Sequence, residues 1–146
     1  MILNIISGLV VIGITISIQS YGTKFWIQYL MKNYTTNSLA SFDHKTVRTL
    51  VYSAIFLLML NFIEAIIWGF TYYILPGITE FETLEKAIYF SLVTFTTLGY
   101  GEITIGSANR ILAGFEAMNG VLLLGWTTAM MFSVLQLVMK AIIRDK

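Results

Sequence analysis

The sequence predicts an all-α integral membrane protein. It has three spanning helices, with a short helix and an irregular loop dipping into the bilayer between the second and third. Three observations predict it. Only 12% of the 146 residues are charged and 57% are hydrophobic, where a soluble domain carries about 25% charged residues. The charges cluster, leaving runs that approach or exceed the roughly 20 apolar residues needed to cross about 30 Å of hydrocarbon. Between two of those runs lies Thr94-Phe95-Thr96-Thr97-Leu98-Gly99-Tyr100-Gly101-Glu102, whose paired hydroxyls and alternating glycines do not suit a spanning helix.

The first run, Ile2 to about Tyr21, is interrupted by Asn4, Thr15, Ser17 and Gln19. No Lys or Arg precedes it and no small-residue cleavage pattern follows, so it reads as a retained helix and not a signal peptide. Gly13 and Ser17 form a small-xxx-small pair that marks a docking face. A polar linker follows, NYTTNSLASFDH. The chain divides accordingly into an N-terminal transmembrane helix (1–32), a linker (33–44) and a third segment (45–146). His44 reads as a solvated loop residue.

Lys and Arg collect on the cytoplasmic side of membrane proteins. Lys24, Lys32, Lys45 and Arg48 flank the first loop, and Lys140, Arg144 and Lys146 follow the last run. The segment between the second and third runs holds only Lys86 and Arg110, against Glu80, Glu82, Glu85 and Glu102. The N-terminus is therefore expected outside, with the linker and C-terminus in the cytoplasm. Trp26 and Tyr29 suit the inner interface, Tyr72 and Tyr73 the outer one. The Asn33-Tyr34-Thr35 sequon would face the cytoplasm, away from glycosylation.

The second run, Thr49 to Leu75, stops at Pro76-Gly77, which cannot continue the hydrogen-bond ladder. Thr79 or Thr83 can then cap a short helix reaching about Phe95. Glu80, Glu82 and Glu85 lie near its N-terminus, where the helix dipole favours negative charge. The third run is Ile111 to Met139.

Irregular backbone at membrane depth must be buried in protein or line a water-filled cavity. In an ordinary strand successive residues face opposite ways. Aiming every carbonyl one way requires alternate residues with left-handed dihedrals, which glycine adopts at little cost. Gly99 and Gly101 alternate with Leu98 and Tyr100 as that geometry needs. The product is a ladder of uncharged oxygens suited to replacing the water shell of a monovalent cation.

Here the chain resembles the potassium-channel pore-loop family, through a TTVGYG-type signature followed by an acid. The resemblance runs from about Thr49 to Gln136 and is nearest to small prokaryotic channels with three helices and no cytoplasmic domain. It implies outer helix, re-entrant pore helix, selectivity filter and inner helix, in a homotetramer embedded in the lipid bilayer that passes K⁺. By position it assigns the coordinating oxygens to Thr97, Leu98, Gly99 and Tyr100, with Gly101 completing the filter. Thr94, Thr96 and Glu102 become filter supports, with Thr94 expected to brace the Tyr100 hydroxyl. Leu98 stands for the common valine and Glu102 for the common aspartate. Phe90 replaces a bracing tryptophan, and Val93 replaces a pore-helix glutamate found in some members. Gly120 falls at the hinge position. Val121, Leu124, Thr128 and Phe132 share a helical face assigned to the cavity and gate.

Glu64 and Glu116 lie inside spans, where a carboxylate costs about 2.5 to 3.5 kcal/mol on insertion scales. Both are expected to face protein, with Asn61, Asn119, Ser91 and Thr94 as donors and at least one acid neutral. A structural clamp is the plainer reading of the pair, a proton sensor the sharper one. With no cysteine, no disulfide or thiolate metal site arises, and no cofactor other than K⁺ is expected. Neither a nucleic-acid-binding patch nor an H-E-x-x-H or G-x-S-x-G motif is present, so an enzyme is not expected. Regularly spaced arginines of a voltage sensor are lacking. The alternative function is a non-conducting membrane module that docks with a partner protein.

The charge pattern sets a first test. Membrane-impermeant thiol reagents should label Glu80→Cys from outside and Ser38→Cys from inside. Labelling of both from one face would sink the three-span topology.

Overall fold

The computed structural model describes residues 2–33, 44–106 and 109–144. Most of the linker, with Ser38 and most of the Asn33 sequon, lies outside the described residues. Four helices follow in order: α1 (Ile2–Asn33), α2 (His44–Ile74), α3 (Leu84–Phe95) and α4 (Arg110–Arg144). Of these, α1, α2 and α4 are long and apolar enough to cross a membrane, so the chain is an integral membrane protein. The first helix outruns its apolar stretch by three turns, and its polar residues Asn4, Thr15 and Gln19 turn inward without breaking it.

Those residues form a seam. Asn4 Nδ2 donates to Asn109 Oδ1 at 2.6 Å, and Thr15 Oγ1 accepts from Asn119 Nδ2 at 2.8 Å. Gln19 Nε2 donates to Thr127 Oγ1 at 3.0 Å, and Trp26 Nε1 donates to Ser53 Oγ at 2.9 Å. Positions 4, 15, 19 and 26 fall on one helical stripe. In hydrocarbon each such rung contributes on average about 0.6 kcal/mol, and its register fixes how α1 sits on α2 and α4. The glycines of the same stripe allow the close approach. A Cβ on Gly8 would lie 2.9 Å from the Phe115 ring, and one on Gly22 would lie 2.7 Å from Leu60. The expected Gly13–Ser17 face is not the docking face within the chain. Gly13 has open space around it, and Ser17 merely donates to its carbonyl at 2.7 Å.

Two apolar clusters fill the interior. One joins Val11, Trp68, Tyr72, Phe90, Phe95, Leu112 and Leu123. The other, nearer the α1–α2 connection, joins Leu30, Leu57, Leu60, Met130 and Val134. Trp26 stacks on Phe56 at 4.4 Å. Tyr72, expected in the outer interface belt, is fully buried against protein, with Phe90 edge-on to its ring at 5.2 Å. Tyr73, half exposed, keeps the surface position.

α3 is wedged between α2 and α4 by two glycines. At Gly69 a Cβ would fall 2.8 Å from Ile88 Cα. At Gly120 it would fall 2.0 Å from the carbonyl oxygen of Phe95. Gly120 therefore seats the end of α3 on α4, and α4 runs through it as unbroken helix. Because backbone atoms cannot yield as a flexible side chain can, Gly120→Ala should cost at least about 1 to 3 kcal/mol. Thermal unfolding in detergent should show this as a lowered midpoint, whereas Gly125→Ala, with open space around it, should not.

Candidate functional site

Thr83, in extended conformation, caps α3 and accepts from Lys86 N at 3.3 Å. Glu85 lies in the first turn. Glu80 does not act on α3. Its Oε1 accepts from Gly106 N at 2.7 Å and its Oε2 from Thr79 N at 2.9 Å. Asn109 Nδ2 adds a second tie, to Gly77 O at 2.9 Å, and Asn109 in turn holds Asn4. The segments entering and leaving the loop after α3 are thus fastened together and to the first helix.

α3 ends by folding its continuation back onto itself. Thr97 N donates to Thr94 O at 2.9 Å, and Leu98 N and Gly99 N donate to Val93 O at 2.9 and 3.2 Å. From here the backbone alternates. Thr97, Gly99 and Gly101 have φ of 58°, 54° and 85°, while Leu98 and Tyr100 keep negative φ. Thr97 is the one non-glycine with positive φ among the described residues. A β-branched residue there is strained, so the surroundings must hold it. Alternating handedness is the backbone arrangement that turns successive carbonyls toward one side.

Every residue from Thr96 to Glu102 is exposed in the single chain. Thr96, expected as a filter support, is exposed in the single chain, with its hydroxyl on Leu92 O at 2.7 Å. Tyr100 is 69% exposed and makes no hydrogen bond to Thr94 among the described residues, so the expected brace does not form within one chain. Thr94 instead lines the space behind the loop, about 340 Å³, together with Phe90, Val93, Gly99, Gly101 and Glu102. Tyr89, one turn before Val93 on α3, lines the same space as Glu102. Sequence reasoning missed Tyr89; its i−4 spacing from Val93 was the available signal.

On α4, Val121, Thr128 and Phe132 are exposed, and Leu124 is partly buried against Phe95 and Thr96. Glu64 and Glu116 are both fully buried in protein, as their cost in lipid requires. They do not share partners. Glu116 accepts from the Tyr72 hydroxyl at 2.6 Å and contacts Ser91 Oγ. Ser91 also donates to Ala65 O at 2.6 Å. One hydroxyl proton cannot serve both, and a carbonyl can only accept. Of the expected donors, Ser91 is right and Thr94 is not. Asn61 and Asn119 bond Thr127 and Thr15 instead. Tyr72, first assigned to the interface, is the donor sequence reasoning missed.

A family model described as an ion channel matches residues 47–137, α2 through most of α4. No curated protein and no solved structure matches the chain significantly.

The Glu80 tie is testable by pH. Hydrogen bonds from Gly106 N and the 79–80 backbone hold its carboxyl below the ordinary value of 4.5. A depressed carboxyl stabilises the fold above its unfolded pKa and loses that contribution as pH falls through the folded one. The tie should be intact near neutrality and release only below the ordinary glutamate range. Glu80→Ala should speed hydrogen exchange at Gly106 N about fivefold at neutral pH, equivalent to about 1 kcal/mol for one partly screened bond.

Proposed function

The chain belongs to the ion channel family, and from that premise we propose that it is a K⁺-selective channel whose pore forms from four copies around an axis. The observation that carries this reading is the sign alternation of φ over Thr97–Gly101, on a loop that is exposed throughout in one chain. Such backbone is not tolerated against lipid. Copies packed around a common axis would cover it and place its oxygens in a column. One loop per chain and a closed ring give the tetramer.

In this reading α3 is the re-entrant pore helix, and its C-terminal end favours a cation in the cavity below. Thr97, Leu98, Gly99 and Tyr100 supply oxygens that replace the hydration shell of K⁺, and Gly101 completes the turn outward. Thr94, Thr96 and Glu102 support the filter. The Tyr100 ring is braced by a neighbouring copy, since its own α3 does not reach it. Tyr89 takes over behind the filter, holding Glu102 where Val93 offers no carboxyl. Val121, Thr128 and Phe132 face the cavity, with Leu124 at its wall. Gly120 acts as a seat for the pore helix more than as a hinge. The N-terminus lies outside and the C-terminus in the cytoplasm, by the distribution of Lys and Arg. The ion channel family is not an enzyme family, and the function is passive conduction.

Purified protein in liposomes tests the reading. K⁺ flux should exceed Na⁺ flux and be blocked by barium. Gly99→Ala or Gly101→Ala should abolish selective K⁺ flux, because a Cβ penalises positive φ by about 1 to 2 kcal/mol per residue in each of four copies. Unaltered selectivity in both variants would remove the central argument. Absence of flux from well-folded wild-type tetramers would favour the non-conducting docking module.

A further inference from the structure

The second intramembrane acid is not explained by conduction through the filter. Glu64 is fully buried, and neither carboxyl oxygen has a hydrogen-bond partner in the protein. Two neighbouring amide oxygens share that condition, Asn61 Oδ1 and Gln19 Oε1. Asn61 precedes Glu64 by three residues, so both lie on one face of α2 about 4.5 Å apart along its axis. Side chains on a helix lean toward its N-terminus, which carries Glu64 over Asn61. The same face continues inward to Leu57 and outward to Trp68, both in apolar clusters shared with α1 and α4.

The orientation of Asn61 is fixed by its neighbours. Its Nδ2 donates to Leu57 O at 3.0 Å and to Thr127 Oγ1 at 2.8 Å. A flipped amide would set oxygen against a carbonyl that can only accept. Gln19 donates to the same Thr127 hydroxyl at 3.0 Å. The nitrogens of both amides are therefore spent on one threonine, and their carbonyl oxygens remain for something else. Four oxygens stand at the junction of α1, α2 and α4 without a protein donor: two carboxyl and two amide. Asn119 Oδ1 is a further one, a rung outward; among the described residues the Thr23 hydroxyl and Trp68 Nε1 are the buried donors similarly unpartnered. The hydroxyl partners of Glu116, Tyr72 and Ser91, have no counterpart around Glu64.

Buried charges are paired or coordinate metal ions, and hard cations take oxygen ligands. We propose that Glu64, Asn61 and Gln19 bind one Na⁺ ion at the junction of α1, α2 and α4. A single carboxylate among neutral oxygens balances one positive charge and not two. Because Gln19 belongs to α1 and Glu64 and Asn61 to α2, the ion clamps the N-terminal helix onto the rest of the chain. The inference does not rest on which ion the filter selects.

Thermal unfolding of the detergent-solubilised full chain tests it, with K⁺ fixed at a level that saturates the filter. Replacing N-methylglucamine with Na⁺ should raise the wild-type midpoint by about 4 °C at a tenfold excess over the dissociation constant. Glu64→Gln, equal in shape but uncharged, should lose that response. Asn61→Leu should move it to several-fold higher Na⁺, and this variant serves if Glu64→Gln does not fold. An equal Na⁺ response in wild type and Glu64→Gln would overturn the site. So would a wild type that ignores Na⁺ and is stabilised only by acid, which would mean that Glu64 holds a proton.

Discussion

The contact between Gly120 and the last carbonyl of α3 is the constraint on which the rest of the site depends. Phe95 O sits so close to α4 that no side chain fits at position 120. The end of α3 is thereby fixed against a long, continuous helix. Everything from Thr96 to Glu102 is built outward from that point, by three backbone bonds returning to Val93 and Thr94. The strained Thr97 can persist because its flanks are held there.

Around that contact the molecule handles polarity in two ways. The seam along α1 pairs side chains across helices and aligns the first helix with α2 and α4. The ties at Glu80 and Asn109 join backbone and side chain outside the apolar core and close the ends of the loop. Asn109 belongs to both systems, through Asn4 and Gly77. The first helix is therefore connected, by two hydrogen bonds, to the segment that precedes α3. This gives it a structural part in shaping the loop region.

The two buried acids illustrate how local surroundings separate identical side chains. Glu116 meets the hydroxyls of a tyrosine and a serine. Glu64, about two turns before Tyr72 on the same helix, meets oxygens that lack donors. Desolvation acts on both; the partners decide what each becomes.

Much was legible in the sequence. Hydropathy marked three spans, and Pro76-Gly77 ended the second where α2 ends at Ile74. The alternation of Gly99 and Gly101 foretold the alternating φ, because only glycine takes that conformation without a steric penalty. The burial of both glutamates followed from the cost of charge in lipid. What only the tertiary structure decided were pairings. That Tyr72 is buried against Glu116, that Asn4, Thr15 and Gln19 turn inward, and that Gly8 and Gly22 form the docking stripe in place of Gly13 all depend on which faces meet. Periodicity assigns a residue to a face of its own helix; the rotation of that helix against its neighbours is set by side-chain packing across sequence distances that no local pattern records.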